Sequence, residues 1–104
     1  MDETRFTIEV GVAYGSDTEL VRQVLEDCAE NHPAVIDGRS NVLFKDFADS
    51  ALTFNLMFWS REKWHIEQVK SDLRYAIDQA FREKNIKIPF PQRDLHVIDL
   101  PKQG

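Results

Sequence analysis

Cysteine is nearly absent: Cys28 stands alone in 104 residues, so no internal disulfide can form. A lone thiol fits a reducing compartment. Glycine and proline number four each, and the glycines are scattered, which argues against a glycine-rich phosphate loop. No run of about 18 apolar residues exists, so nothing in this sequence crosses a bilayer as a helix. The opening MDETRF is acidic and polar, unlike a signal peptide. Positive charge is in deficit: 13 Lys and Arg against 18 Asp and Glu leave a net charge of −5. Phosphate-binding proteins show a basic face, so nucleic acid is not an expected partner. The same deficit argues against direct contact with an anionic membrane surface.

What is present is ordinary globular material, 42% hydrophobic and 30% charged. The length suits one domain, which buries enough surface for a core without metal or disulfide staples. Residues 5–14, RFTIEVGVAY, alternate as a half-buried strand, with Phe6, Ile8, Val10, Val12 and Tyr14 on one side. Ser16 and Glu19 have capping-box spacing, and Asp17 is an alternative cap. Leu20, Val21, Val24, Leu25, Cys28 and Ala29 then form a helical stripe, which Pro33 ends.

A turn is expected at Asp37-Gly38. Two strands follow, NVLFKDF and ALTFNLMFW, joined at Ala48-Asp49-Ser50. In the first, Val42 and Phe44 skip to Phe47, which a bulge near Lys45-Asp46 explains. In the second, Leu52, Phe54, Leu56 and Phe58 share one face, and Thr53, Asn55, Met57 and Trp59 the other. A second helix is expected over 63–84, with Asn85 as a left-handed cap. Then come IPFPQR and a last strand, DLHVIDL.

The order β-α-β-β-α-β predicts an α+β, ferredoxin-like sandwich: a four-stranded antiparallel sheet, ordered 4-1-3-2, with both helices on one face. The domain is expected over 6–100, between tails at 1–5 and 101–104. Pro89 and Pro91 would hold the lead-in to an edge strand extended, with Ile88 and Phe90 anchoring one side of it.

Candidate chemistry is thin. Cys28 and His32 share a helix face, as a metal or nucleophile pair would. Against this, Cys28 continues the apolar stripe, and His65 and His96 lack metal-ligand spacing. Glu26, Asp27 and Glu30 read as a solvated helix back, and Asp49 as a turn residue. No nucleophile elbow is present. The expected open face carries Thr7, Glu9, Thr53, Asn55, Met57 and Trp59. Only Trp59 offers a stacking ring there, and an RNA-recognition signature is absent. No catalytic, cofactor or metal site is expected. A soluble regulatory domain binding a small ligand or a protein partner is the alternative that fold and composition leave open.

Three strings, in order, carry a resemblance: VAYGSDTELVRQVLEDCAENHP, VLFKDFADSALTFNLMFW and KNIKIPFPQRDLHV. Together they resemble the C-terminal cytoplasmic α/β domain of the small-conductance mechanosensitive channel (MscS-like) family, from about Phe6 to Ile98. Asn85 and Ala48 stand where that family commonly has glycine, and Gly38-Arg39-Ser40 replaces a stretch often richer in proline. The resemblance implies a non-catalytic part of a tension-gated channel that releases ions and small solutes on osmotic downshock. It implies a homo-oligomer, typically heptameric, whose cytoplasmic parts form a hollow cage. It further implies membrane helices and a middle β domain upstream in the same chain, making this sequence a piece of a longer protein. The parent would sit in a bacterial inner membrane with this domain on the cytoplasmic side. Trp59, Pro89, Phe90, Pro91, Gln92 and Arg93 are the candidate residues for a subunit or domain interface, with Trp64 a further partner-facing aromatic.

Overall fold

Alternating apolar residues build the sheet, and two amphipathic helices close one side of it. In the computed structural model, which describes residues 2–89, the elements are β1 (Thr4–Val12), α1 (Thr18–Glu30), β2 (Val35–Phe47), β3 (Leu52–Ser60) and α2 (Ile66–Glu83). The described sheet has three strands in the order β1-β3-β2, all antiparallel. That is the 1-3-2 part of the expected order. The expected fourth strand, DLHVIDL, lies outside the described residues.

β1 pairs with β3 without a break, from Thr4 opposite Ser60 to Val12 opposite Leu52. Phe6, Ile8, Val10 and Val12 therefore stand beside Phe58, Phe54 and Leu56 on one face, and Val21, Leu25, Leu73 and Phe81 of the helices pack onto them. Burying such side chains is the main stabilising term, about 1.5–3 kcal/mol each.

The local signals were mostly decisive. Asp17, not Ser16, caps α1: its carboxylate accepts from the Leu20 N–H at 3.2 Å. Ser16 instead turns back and donates to the Ala13 carbonyl. Asn85 adopts φ +59°. Around it the Ile86 N–H bonds to the Phe81 carbonyl and the Asn85 N–H to the Arg82 carbonyl, the paired bonds of a Schellman ending. Ile86 is buried, the apolar contact that often accompanies that motif.

Three expectations need correction. α2 begins at Ile66 rather than 63, because no side chain caps its start; Glu62 accepts from the His65 N–H and holds the preceding turn outside the helix. β1 ends at Val12, so Tyr14 does not join its buried face; its hydroxyl donates to the Ala48 carbonyl instead. β2 starts at Val35, six residues before NVLFKDF. The expected turn at Asp37-Gly38 is an irregularity inside this strand: the register shifts between Val35 and Ser40, and Gly38 takes φ +71°. Only glycine occupies that region without a steric penalty. The second shift, between Phe44 and Asp46, is the expected bulge at Lys45.

Candidate functional site

The open face of the sheet lies opposite the helices. Thr53, Asn55, Met57 and Trp59 alternate with the buried residues of β3 and remain half-exposed. Trp59 sits opposite Arg5 of β1. The guanidinium of Arg39 lies over the indole ring, 4.7 Å from its centroid, a cation–π contact worth about 0.5–1 kcal/mol at an exposed site. Glu3 steadies it, accepting from Arg39 at 3.2 Å and from Arg61 at 2.7 Å. Among the described residues Arg5 has no ion-pair partner. Arg5, Arg39, Asn41, Met57 and Trp59 line a shallow depression of ≈ 250 Å³. The bulge at Gly38 delivers Arg39 to this place.

The lead-in lies elsewhere. After Asn85 the chain returns to β1, where the Ala13 N–H bonds to the Lys87 carbonyl at 2.8 Å. Ile88 is exposed and Pro89 half-buried. Phe90, Pro91, Gln92 and Arg93 lie outside the described residues. Trp59 neighbours the start of β1 and Pro89 its end. From Arg5 to Ala13 a strand spans roughly 26 Å at about 3.3 Å per residue. The two described interface candidates are thus not brought together.

Between the helices runs a groove of ≈ 390 Å³ with Val24, Cys28, Ala76 and Ala80 in its lining and His32 and Asp72 at its side. His32 Nδ1 accepts from the Ala34 N–H at 3.0 Å, so the ring proton resides on Nε2 and is donated to Asp72 Oδ2, also at 3.0 Å. The imidazole thereby ties the end of α1 to α2. This hydrogen bond, and then one from Gln68, hold the Asp72 carboxyl below its usual pKa. Burial, and then the Asp27 carboxylate, push the Cys28 thiol up, away from the thiolate a nucleophile needs. Among the described residues no three His, Cys, Asp or Glu groups are placed to hold a metal ion. Asp27 and Glu30 do not meet across a cleft; they bond to Gln23 and Ser40 respectively.

One surface went unassigned in the sequence. Phe44 and Phe47 lie on the helix side of β2, beyond the cover of the helices. Phe44 stacks on buried Phe54 with centroids 4.8 Å apart, and Phe47 packs on Phe44 at 4.9 Å. Phe44 is 41% and Phe47 72% exposed. Tyr14, also exposed, is bonded to the same hairpin. The irregular spacing of Val42, Phe44 and Phe47 was the available signal, since the bulge places Phe47 beside Leu52.

Comparison with known proteins gives a consistent result. The family described as "Mechanosensitive ion channel MscS, C-terminal" matches residues 6–88. The mechanosensitive channel MscK of Escherichia coli is 40% identical over 95 residues, covering 90% of this chain and 8% of MscK. An uncharacterized MscS family protein of Haemophilus influenzae is 36% identical over 95 residues, 90% of this chain and 9% of that protein. The crystal structure of Helicobacter pylori MscS in its closed state aligns with 100% of this chain and 40% of that chain, at a TM-score of 0.79 and 27% identity. The chain thus spans less than a tenth of the length of the first two relatives. Among the described residues, no helix is long and apolar enough to cross a membrane.

Proposed function

Because this chain belongs to the MscS family of mechanosensitive ion channels and matches its C-terminal part, we propose that it is a non-catalytic wall segment of the cytoplasmic cage of a tension-gated channel. In this reading the parent protein sits in the inner membrane and opens on osmotic downshock to release ions and small solutes. Copies of the subunit assemble as a ring, heptameric as the family resemblance implies. The single domain, 6–100, follows membrane-spanning and β domains of the same chain. Trp59 and the lead-in Pro89, Phe90, Pro91, Gln92 and Arg93 serve contacts with those neighbours.

The observation that carries this reading is the extent of the match. It runs through both helices, the hairpin and the Asn85 ending, while the matched relatives are far longer than this chain. The site chemistry agrees with a structural role. The polar groups beside the helix groove satisfy one another, as His32, Ala34, Asp72 and Gln68 do. A ligand pocket instead offers convergent groups that await a partner.

Patch-clamp recording tests the proposal. The full-length parent, expressed in cells stripped of their own mechanosensitive channels, should give tension-activated currents and protect against downshock. Absence of both, with the protein present in the membrane, would refute it.

A further inference from the structure

The aromatic hairpin and the arginine-lined depression have complementary chemistry, and they lie on different faces of the chain. The hairpin presents a rigid apolar knob: Phe47 rests on Phe44, which stacks on fully buried Phe54. Little conformational freedom is lost when such an anchored ring docks. Asp46 and Asp49 flank it and are exposed. The nearby Lys45 is engaged by Glu9 at 3.4 Å. The knob is thus aromatic with an acidic rim. The depression has an apolar floor of Met57 and Trp59 between Arg5 and Arg39; Glu3 engages Arg39 at 3.2 Å, so Arg5 supplies its unpaired charge. Arg5 has no ion-pair partner among the described residues, and the Arg39–Trp59 stack is a platform suited to a further ring.

One chain cannot join the two surfaces. Phe47 stands opposite Leu52 on the helix side, whereas Asn41, in the depression, stands opposite Met57 on the open side. Six residues of strand separate them, roughly 20 Å. Contact requires a second copy. Because the two surfaces differ, the contact is heterologous, and a repeated heterologous contact closes a ring when its rotation permits.

We propose that the Phe47 hairpin of one subunit docks into the Arg5–Arg39–Trp59 depression of the next, head to tail. The inference rests on the oligomeric channel reading above and supplies the contact which that reading leaves open.

The test is site-directed cross-linking of the full-length protein in membranes, with Ser50→Cys, beside the knob in the same turn, and Asn41→Cys introduced into a background free of other cysteines. Asn41 is exposed and Ser50 partly so. A short bis-maleimide should give a ladder of multimers on a denaturing gel. Each single variant should give none. Asp46→Lys should lower the yield several-fold, and adding Arg5→Glu should restore it. Dimers from Ser50→Cys alone would mean that hairpins meet hairpins, and would overturn the proposal. So would a missing ladder in protein that amine-reactive cross-linking shows to be oligomeric, a result that leaves the channel reading intact. If amine-reactive cross-linking finds only monomer, both fall.

Discussion

The two faces of β3 differ although their residues alternate along one backbone. Leu52, Phe54, Leu56 and Phe58 are all buried under the helices, whereas Thr53, Asn55, Met57 and Trp59 stay half-exposed between β1 and β2. The first face holds the domain together. The second is a surface with one organised feature, the Arg39–Trp59 stack. Stability therefore rests on one side of the strand, while the other carries one of the two proposed contact surfaces, and substitutions can separate the two roles.

The largest effect is expected on the covered face. Phe58 is fully buried and its ring lies 5.9 Å from that of Phe6. Phe58→Ala should cost about 3–5 kcal/mol, in lost transfer energy plus the cavity left behind. Urea denaturation measures it, and a loss below about 1 kcal/mol would erase the distinction between the faces.

Next comes the cap of the helix that covers this face. Asp17→Ala removes the acceptor for the Leu20 N–H and should cost about 1 kcal/mol, with Asp17→Ser recovering most of it. If Ala and Ser behave alike, Asp17 is not what starts α1.

The clamp between the two helices sharpens the comparison through pH. The Asp72 carboxyl is held below its ordinary value by the hydrogen bonds from His32 and Gln68. A depressed folded pKa favours folding above the unfolded value, near 3.9, and that contribution is lost as pH falls through the folded value. Thermal melts should therefore show an acid-side decline, below about pH 4, that is shallower in Asp72→Asn. An unchanged acid limb would remove Asp72 from the account. The group is partly exposed, so the effect is expected to be small.

The smallest effect on stability belongs to the open face. Trp59→Ala breaks the stack with Arg39 and should cost only about 0.5–1 kcal/mol. The same substitution should weaken subunit cross-linking in the full-length protein. A cost approaching that of Phe58→Ala would show that the open face is also core.

Much of this arrangement was legible in the residues. The period-two pattern of β1 and β3 specified which side chains are buried, because a strand sends neighbours to opposite faces whatever surrounds it. Asn85 announced the end of α2, and the skip from Phe44 to Phe47 announced the bulge. Ser16 and Asp17 were both possible caps, and local spacing did not choose between them. The structure chose Asp17 because Ser16 is turned toward the Ala13 carbonyl. Gly38 was legible as a turn residue, but a strand that absorbs its left-handed backbone and continues looks, in sequence, like a turn between elements. Of the candidate interface, Trp59 was correctly placed on the open face. Its distance from Pro89 was not readable, because it follows from which end of β1 each neighbour reaches.

The sequence by itself therefore determined the order of the five described elements, the buried faces of β1 and β3, the left-handed ending of α2 and the family, since these rest on periodicity, backbone preference and ordered motifs. Only the tertiary structure decided that Arg39 stacks on Trp59, that His32 bridges two helices through its Nε2 proton, and that Phe44 and Phe47 lie beyond the helix layer. Each of these depends on two segments distant in sequence meeting at a particular register. Packing fixes that register, and no local pattern encodes it.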